Sequence, residues 1–554
     1  MGSYFKFFRL CAFVFFFSTF MASCDVVTNT QSTPQLYPRP DRASVFYEYD
    51  KLTTDLNAKI AQSAHFSIWS TLPDQTLTLM LQDLENLRIA LLDFHNIDPK
   101  HAEHPIDIIL IDDPDYFEAF SPGHSLAGFY ENGALGPVII IRTVDMKLDP
   151  NAVWSTLYHE YAHHFHATFL PYKVPLWLNE GFAEYASSFR RTETGYGLGL
   201  YEADRIESLR EFSSDWLDTN ELVKTLDHYP YIPGYVGEAA KKRTLFYYDQ
   251  SWLLAFWLLQ SDEGQDTLQR LINNLDSGKS IQGVFPDTIH EDLLSYADSF
   301  EPYPDTHILP DTSFPEVRPK IETITQSEFL GRIFLQMRFS GISSNISRGL
   351  LDKFDNDTSN DDIPDPVKEM LRVHSYLALG LEKEALDTIE AARKSENAYS
   401  AFSRLYAQYR LYLYESVDTD IYIAQVQSSL ARHRSVVNDA IKFAISKRSG
   451  DFDLDILYVR LLGRNAYNLS PNHKAALQRI LDSGHHKRNP FLALDLVYPL
   501  ISINEFDEAE AIIARARLWD PQMNPLNSNR LDEMVLDIQA YRDVFAEQSD
   551  QKSD

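Results

Sequence analysis

Two histidines and a glutamate stand at the spacing of a metal-binding helix. His159 and His163 are four residues apart in the segment His-Glu-Tyr-Ala-His, and Glu160 follows the first histidine. On an α-helix, side chains four residues apart project from one face, so both imidazoles can reach a single Zn²⁺. The glutamate between them can act as general base for a water molecule that the metal activates. The segment therefore predicts a catalytic metal site on a helix.

The third protein ligand is expected from the next helix-like segment. Catalytic zinc takes three protein ligands and keeps one position for water. Sixteen residues separate His163 from Glu180, and Glu184 follows one helical turn later. We expect Glu180 to be the ligand and Glu184 to accept the outer N–H of a zinc-bound histidine, with the reverse assignment as the alternative. His164 and His166 point elsewhere on the helix and are expected to be bystanders.

The stretch 154–185 resembles the gluzincin metallopeptidases, the thermolysin-like and aminopeptidase-like group. Its sequence is WSTLYHEYAHHFHATFLPYKVPLWLNEGFAEY. In that group an Asn-Glu pair follows the His-Glu-x-x-His helix, and its glutamate is the third ligand of one zinc ion. The resemblance assigns this pair to Asn179 and Glu180, with Asn179 and Glu184 supporting the ligands from outside. The spacer is shorter here than is common in the group, which predicts a tighter loop through Pro171 and Pro175.

The resemblance also implies a catalytic tyrosine. Related gluzincins place a tyrosine after the third ligand, where its hydroxyl donates to the oxyanion that forms as the carbonyl becomes tetrahedral. Tyr247 and Tyr248 both fall in the corresponding part of this chain. We favour Tyr248.

The elements that position these residues predict an α+β domain over 44–300. Apolar residues recur at helical spacing from Leu77 to Phe94, and the runs 106–111 and 137–142 are β-branched and bounded by turn residues, as strands are. In zincins an edge strand above the metal helix pairs with the extended substrate. The resemblance gives this role to 137–142 or to its neighbour, and a plain buried strand is the alternative.

The remainder of the chain predicts an all-α domain over 323–546. A Pro-rich, acidic segment at 301–322 indicates a linker out of the catalytic domain. The stretches 366–394 and 489–521 each predict two amphipathic helices with small residues, and they resemble degenerate tetratricopeptide repeats. The expected fold is an α+β zincin catalytic domain followed by a helical-repeat-like domain that could bind a protein partner. The tail 547–554 is expected to be disordered.

The first 24 residues predict an export signal and no part of the fold. A positively charged start precedes an apolar run that is too short for a comfortable membrane span. The residues that follow, Met-Ala-Ser-Cys, resemble a bacterial lipobox and imply cleavage and a lipid on Cys24. An ordinary signal cut near Ala22 is the alternative. With a polar tether at 25–43, we expect an exported protein held at the periplasmic or cell-surface face of a bacterial membrane through that lipid.

Composition removes several other classes of function. The net charge of -30 repels phosphates, which argues against nucleic acid as a partner and against general affinity for anionic membranes. Cys11 and Cys24 are the two cysteines of the chain, so the mature protein has no intramolecular disulfide and no cysteine ligand for zinc.

The expected reaction is hydrolysis of a peptide or protein substrate, with Glu160 as general base. An endopeptidase or a peptidase of narrow range is favoured, because the G-x-M-E-N stretch that holds the substrate amine in related aminopeptidases is missing. Two alternatives stay open. One is an exported helical-repeat adaptor whose zinc site is structural or vestigial, and the other is hydrolysis of a non-peptide amide by the same chemistry.

Overall fold

The computed structural model describes most of the chain beyond residue 57. The described ranges are 58–98, 106–112, 127–133, 136–144, 149–193, 195–200, 203–224, 238–300, 307–324, 381–394, 423–447, 452–461, 469–488, 493–519 and 525–550, with isolated positions between them. The predicted signal at 1–24, the tether at 25–43 and the lipid site at Cys24 lie outside the described residues.

Two sheets contain the strands of the described chain. These strands are β1 Lys59–Gln62, β2 Phe66–Ser70, β3 Ile106–Ile111, β4 Gly128–Gly133, β5 Gly136–Arg142, β6 Arg190–Arg191, β7 Tyr196–Leu198, β8 His307–Leu309 and β9 Lys320–Thr323. The larger sheet has the order β4-β5-β3-β2-β1-β9, and the smaller one has the order β6-β7-β8. Pairing is parallel from β2 through β3 to β5 and antiparallel at β4, β1 and β9. The two predicted strands are confirmed as β3 and β5.

Helices make up the larger part of the described structure. They are α1 Asp74–Phe94, α2 Pro150–Phe169, α3 Leu176–Ser187, α4 Ala203–Glu211, α5 Thr219–Leu222, α6 Glu238–Gln260, α7 Asp262–Ser277, α8 Ile289–Ser299, α9 Glu382–Ala392, α10 Ile423–Lys447, α11 Phe452–Arg460, α12 Pro471–Ser483, α13 His485–Arg488, α14 Val497–Ser502, α15 Phe506–Trp519 and α16 Pro525–Asp550. The fold is therefore mixed α/β with an added helical region. None of the helices within the described ranges is long and apolar enough to cross a membrane.

Helix α2, which carries His159 and His163 and is called the metal helix below for the ligands predicted on it, begins at a strong N-terminal signal. The side chain of Asp149 accepts hydrogen bonds from the backbone N–H groups of Asn151 and Ala152, at 3.0 and 3.2 Å, and Pro150 occupies the first helical position. The helix ends at Phe169, two residues before Pro171, because a residue that precedes proline is disfavoured in helical conformation. Both ends of the helix are thus set by local sequence.

Helix α3 lies in very close contact with α6 at Gly181. A Cβ atom on Gly181 would lie 2.1 Å from the backbone oxygen of Ser251, so a residue without a side chain is needed there. Tyr247 stands one turn before Ser251 and therefore faces the same helix. This contact places α6 directly beside Glu180.

The segment predicted as a linker, 301–322, contributes to both sheets. Strand β8 pairs antiparallel with β7, and β9 pairs antiparallel with β1 and closes one edge of the larger sheet. Proline is tolerated in an edge strand because the N–H groups on the outer side of that strand have no partner strand to bond. The described part of this segment therefore belongs to the two sheets.

The helical region packs directly on the half of the chain that contains the two sheets. Trp519 of α15 is buried in the same apolar core as the metal helix. Lys487 forms a 2.7 Å ion pair with Asp276, and Arg515 donates to the Asp276 carbonyl at 2.6 Å. The predicted helical pair at 489–521 is confirmed as α14 and α15. Helix α16 extends to Asp550, whereas the tail was predicted to begin at residue 547.

Candidate metal centre

Three buried side chains meet at one point between α2 and α3. His159 Nε2 lies 3.0 Å from His163 Nε2, and Glu180 Oε2 lies 3.3 and 3.4 Å from these two nitrogens. The exposed fractions are 3% for each histidine and 0% for the glutamate. This group could hold a metal ion. The ligand set predicted from the sequence is therefore brought together.

The triangle of donor atoms has the size that a tetrahedral zinc ion requires. Bonds of 2.0–2.1 Å from zinc to nitrogen and oxygen give a tetrahedron whose edges are about 3.3 Å. The three distances, 3.0, 3.3 and 3.4 Å, are close to that edge. Two imidazoles and one carboxylate are also a donor set that suits zinc.

The charges around this point favour a cation. Glu160 and Glu180 are fully buried, Glu184 is nearly so, and Arg205 is the cation that forms an ion pair with Glu184. Burial alone would lower the pKa of His159, yet Glu184 and Glu180 raise it to about 10. Burial would also raise the pKa of Glu180, but the two histidines lower it to about 2. Glu180 thus stays ionised and attracts positive charge.

The structure separates the roles of the two candidate glutamates. Glu180 reaches the Nε2 atoms of both histidines, whereas Glu184 Oε1 lies 3.3 Å from His159 Nδ1, on the outer side of that ring. Arg205 holds the other oxygen of Glu184 at 2.7 Å and lies 3.5 Å from Asp249. Arg205 and His159 keep the pKa of Glu184 well below its usual range despite burial. Glu180 is therefore the carboxylate of the group that could hold a metal ion, and Glu184 contacts the outer nitrogen of His159.

Asn179 orients the second histidine. Its Nδ2 lies 2.7 Å from His163 Nδ1, and its Oδ1 lies 2.8 Å from His166 Nδ1. Asn179 thus supports the ligands, as expected, but His166 is connected to the site and is not a bystander. His164 lies elsewhere, with its ring 5.6 Å from that of Tyr130.

Glu160 and Tyr247 each interact electrostatically with a residue of this group. Glu160 is close enough to His159 to contribute to the raised pKa of that histidine. Burial, together with Glu180, raises the pKa of Tyr247 well above its usual value, so its hydroxyl keeps its proton. Tyr248 follows it on α6, with the two rings 5.9 Å apart and nearly perpendicular. Tyr247 is thus close enough to Glu180 for that carboxylate to affect its pKa, and the choice between Tyr247 and Tyr248 stays a prediction.

An edge strand runs beside the metal helix. Strand β4 is the last strand of the larger sheet, and no other strand within the described ranges pairs with its outer edge. A Cβ atom on Gly128 would lie 2.9 Å from Thr156 Cγ2, which shows how closely β4 approaches α2. The predicted strand 137–142 corresponds to β5, which lies inside the sheet. Its neighbour β4 therefore occupies the edge.

Sequence reasoning missed three residues of the site: His166, Arg205 and Asp249. His166 stands three residues after His163 and could have been found from that helical spacing. Arg205 and Asp249 lie on α4 and α6, and no local pattern connects them to the ligands.

Comparisons with protein-family models, curated proteins and solved structures give no match to this chain.

Proposed function

We propose that this protein is a zinc-dependent peptidase that acts outside the cytoplasm. The observation that carries the proposal is the triangle of His159, His163 and Glu180, whose edges of 3.0–3.4 Å fit one tetrahedral zinc ion. Glu160 lies beside it in the position that His-Glu-x-x-His helices give to a general base. The three candidate ligands and the candidate base together support a hydrolytic site.

Each residue has a distinct part in the proposed reaction. Zinc at this site would lower the pKa of a water molecule and polarise the scissile carbonyl. Glu160 takes a proton from the attacking water and delivers it to the leaving amine. Tyr247 donates a hydrogen bond to the oxyanion as the carbonyl becomes tetrahedral. Glu184 and Asn179 hold the two imidazoles in orientation.

The outer edge of β4, the last strand in the order of the larger sheet, is the proposed binding place of the substrate backbone. An extended peptide can add to an exposed sheet edge through main-chain hydrogen bonds. Because β4 lies against the metal helix at Gly128, a peptide on its outer edge would run beside the site. A strand-like substrate fits an endopeptidase or a peptidase of narrow range, and it is consistent with a gluzincin-like zincin fold.

The proposed location follows from the N-terminal sequence. A signal with a lipobox-like end at Cys24 would place the enzyme at the outer face of a bacterial membrane, with the tether as a spacer. The helical region would then be available to protein partners.

A second candidate function is a structural metal site in an exported helical adaptor. The near-complete burial of His159, His163, Glu160 and Glu180 is the observation in its favour, because structural zinc sites are closed. Both candidates bind zinc, so metal content alone does not separate them.

The test compares metal content and cleavage of a diverse peptide mixture for the wild type and three variants. Glu160→Gln is expected to bind zinc without turnover, and Glu180→Ala to lose both. Glu85→Gln is the matched control, because Glu85 is a buried glutamate that bonds Ser63 and His65 away from the site. Chelator-sensitive cleavage by the wild type and the control is expected. A zinc-loaded wild type that cleaves no peptide would overturn the peptidase proposal, and turnover in Glu160→Gln would remove that residue as the base.

A further inference from the structure

His166 is linked to the metal centre through Asn179. It lies on α2, buried, and its ring packs on that of Phe182 with the centroids 4.6 Å apart. Its Nδ1 is 2.8 Å from Asn179 Oδ1, and Asn179 Nδ2 is 2.7 Å from His163 Nδ1. One amide group therefore joins a ligand imidazole to a second imidazole that does not face the metal position.

The side-chain amide of Asn179 couples the tautomer of His163 to that of His166. Asn179 offers one accepting and one donating atom, so one histidine must donate where the other accepts. When the amide nitrogen faces His163, Nδ1 of that ring accepts, and the single proton of the neutral ring is on Nε2. Nε2 is the atom that faces Glu180 and His159, so this arrangement offers no lone pair to a metal.

The reverse arrangement prepares the site. The oxygen and nitrogen of an amide have nearly the same size, so Asn179 can turn over in place. His163 Nδ1–H then donates to Oδ1, and the lone pair of Nε2 points at the metal position. This requires His166 Nδ1 to accept from Asn179 Nδ2. Burial lowers the pKa of His166 to about 3, so the ring is neutral near pH 7 and can accept there.

We propose that His166 is a positioning residue of the metal centre, which accepts from Asn179 and so turns the Asn179 oxygen towards His163. The inference rests on the proposed metal-binding function. Metal-bound histidines usually donate their outer N–H to an acceptor, and His159 has the carboxylate of Glu184 for this purpose. His163 has a neutral amide, whose direction His166 sets.

The test measures zinc affinity of the full chain by competition with a chromophoric chelator. His166→Leu removes the accepting atom, and His164→Leu is the matched control, because His164 is buried on the same helix and burial likewise lowers its pKa to about 3. We expect zinc affinity to fall about 10–100-fold in His166→Leu and to stay within about 3-fold in the control. Thermal unfolding of the metal-free proteins checks that both variants fold.

Two further variants test the mechanism. Asn179→Asp presents an accepting oxygen to His163 whatever His166 does, so adding His166→Leu to it should leave zinc affinity unchanged. His166→Gln retains a side-chain oxygen that can accept and should stay within about 3-fold of the wild type. Nitrogen-15 spectra of the zinc-bound wild type should show the His163 proton on Nδ1.

Several results would overturn the inference. Equal zinc affinity in His166→Leu and the wild type would do so, and so would equal losses in both leucine variants. A full effect of His166→Leu in the Asn179→Asp background, or a tenfold loss in His166→Gln, would also contradict it. A wild type that binds no zinc would instead overturn the proposed function itself, so the two failures are distinguishable.

Discussion

The ammonium group of Lys173 lies 4.1 Å from the centroid of the Trp519 ring. Lys173 belongs to the short loop between α2 and α3, and Trp519 is the last residue of α15. Pro171 of the same loop is also in close contact with the helical region, since a Cβ atom on Gly484 would lie 3.1 Å from it. The helical region therefore holds the loop that joins the two histidine ligands to Glu180.

This relationship predicts that the half of the chain that contains the two sheets does not fold alone. A chain ending at residue 300 would lack β8, β9 and Trp519, so it would expose an edge of each sheet and part of the main core. We expect no cooperative thermal transition and no tight zinc binding from residues 44–300, in contrast to the full chain. Calorimetry and zinc titration would measure this. A cooperative, zinc-binding fragment would restore the predicted linker as a domain boundary.

Replacing each tyrosine in turn tests which one serves the reaction. Tyr247→Phe should lower kcat about 10²–10³-fold with little change in KM, because a donor to the oxyanion acts in the transition state. Tyr248→Phe is the matched control and should keep kcat close to that of the wild type. Both should bind zinc normally. The reverse pattern in steady-state kinetics would return the role to Tyr248.

The sequence is sufficient for those parts of the site that local periodicity fixes. His159 and His163 lie on one face of any α-helix that contains both, because they are four residues apart. Asn179 and Glu180 follow them at a separation along the chain that can be read from the sequence. The choice between Tyr247 and Tyr248 depends instead on how α6 is rotated against α3, which the contact of Gly181 with Ser251 determines. Arg205 and the pairing of β9 with β1 are long-range contacts that no local pattern encodes. Composition likewise does not reveal β8 and β9, because prolines are typical of linkers and of sheet edges alike.

His95 predicts a loss of stability in mild acid. Burial lowers its pKa to about 4, and its Nε2 has no hydrogen-bond partner among the described residues. Above pH 6.5 neither the folded nor the unfolded form is protonated, so this histidine adds no pH dependence. As pH falls from 6.5 towards 4, the unfolded chain takes up a proton that the folded chain resists, and stability falls by up to about 3 kcal/mol.

The variant His95→Phe should lose this part of the pH dependence because phenylalanine carries no titratable group. The phenylalanine ring can still stack on Phe165, so the packing is retained. The measurement is the free energy of unfolding of metal-free protein by denaturant at pH 7 and at pH 4.5. The decrease between the two should be smaller in the variant than in the wild type. An identical decrease would show that His95 is protonated as easily in the folded state as in the unfolded chain.

Gly181→Ala should separate the position of Glu180 from the chemistry of its carboxylate. The added methyl group would lie 2.1 Å from the Ser251 oxygen and 3.2 Å from Ala255, so α3 must move away from α6 or tilt. Overpacking of this kind typically lowers the free energy of unfolding by about 1–3 kcal/mol. In Gly181→Ala the displaced element would be α3, the helix that carries Glu180. We expect lower stability together with weaker zinc binding, while His159 and His163 remain unchanged on α2. Ala183→Gly, on the same helix, is the control, because it also destabilises α3 by about 1 kcal/mol but adds no volume against α6. If both variants bind zinc equally well in a chelator competition, the closeness of α3 and α6 does not set the geometry of the site.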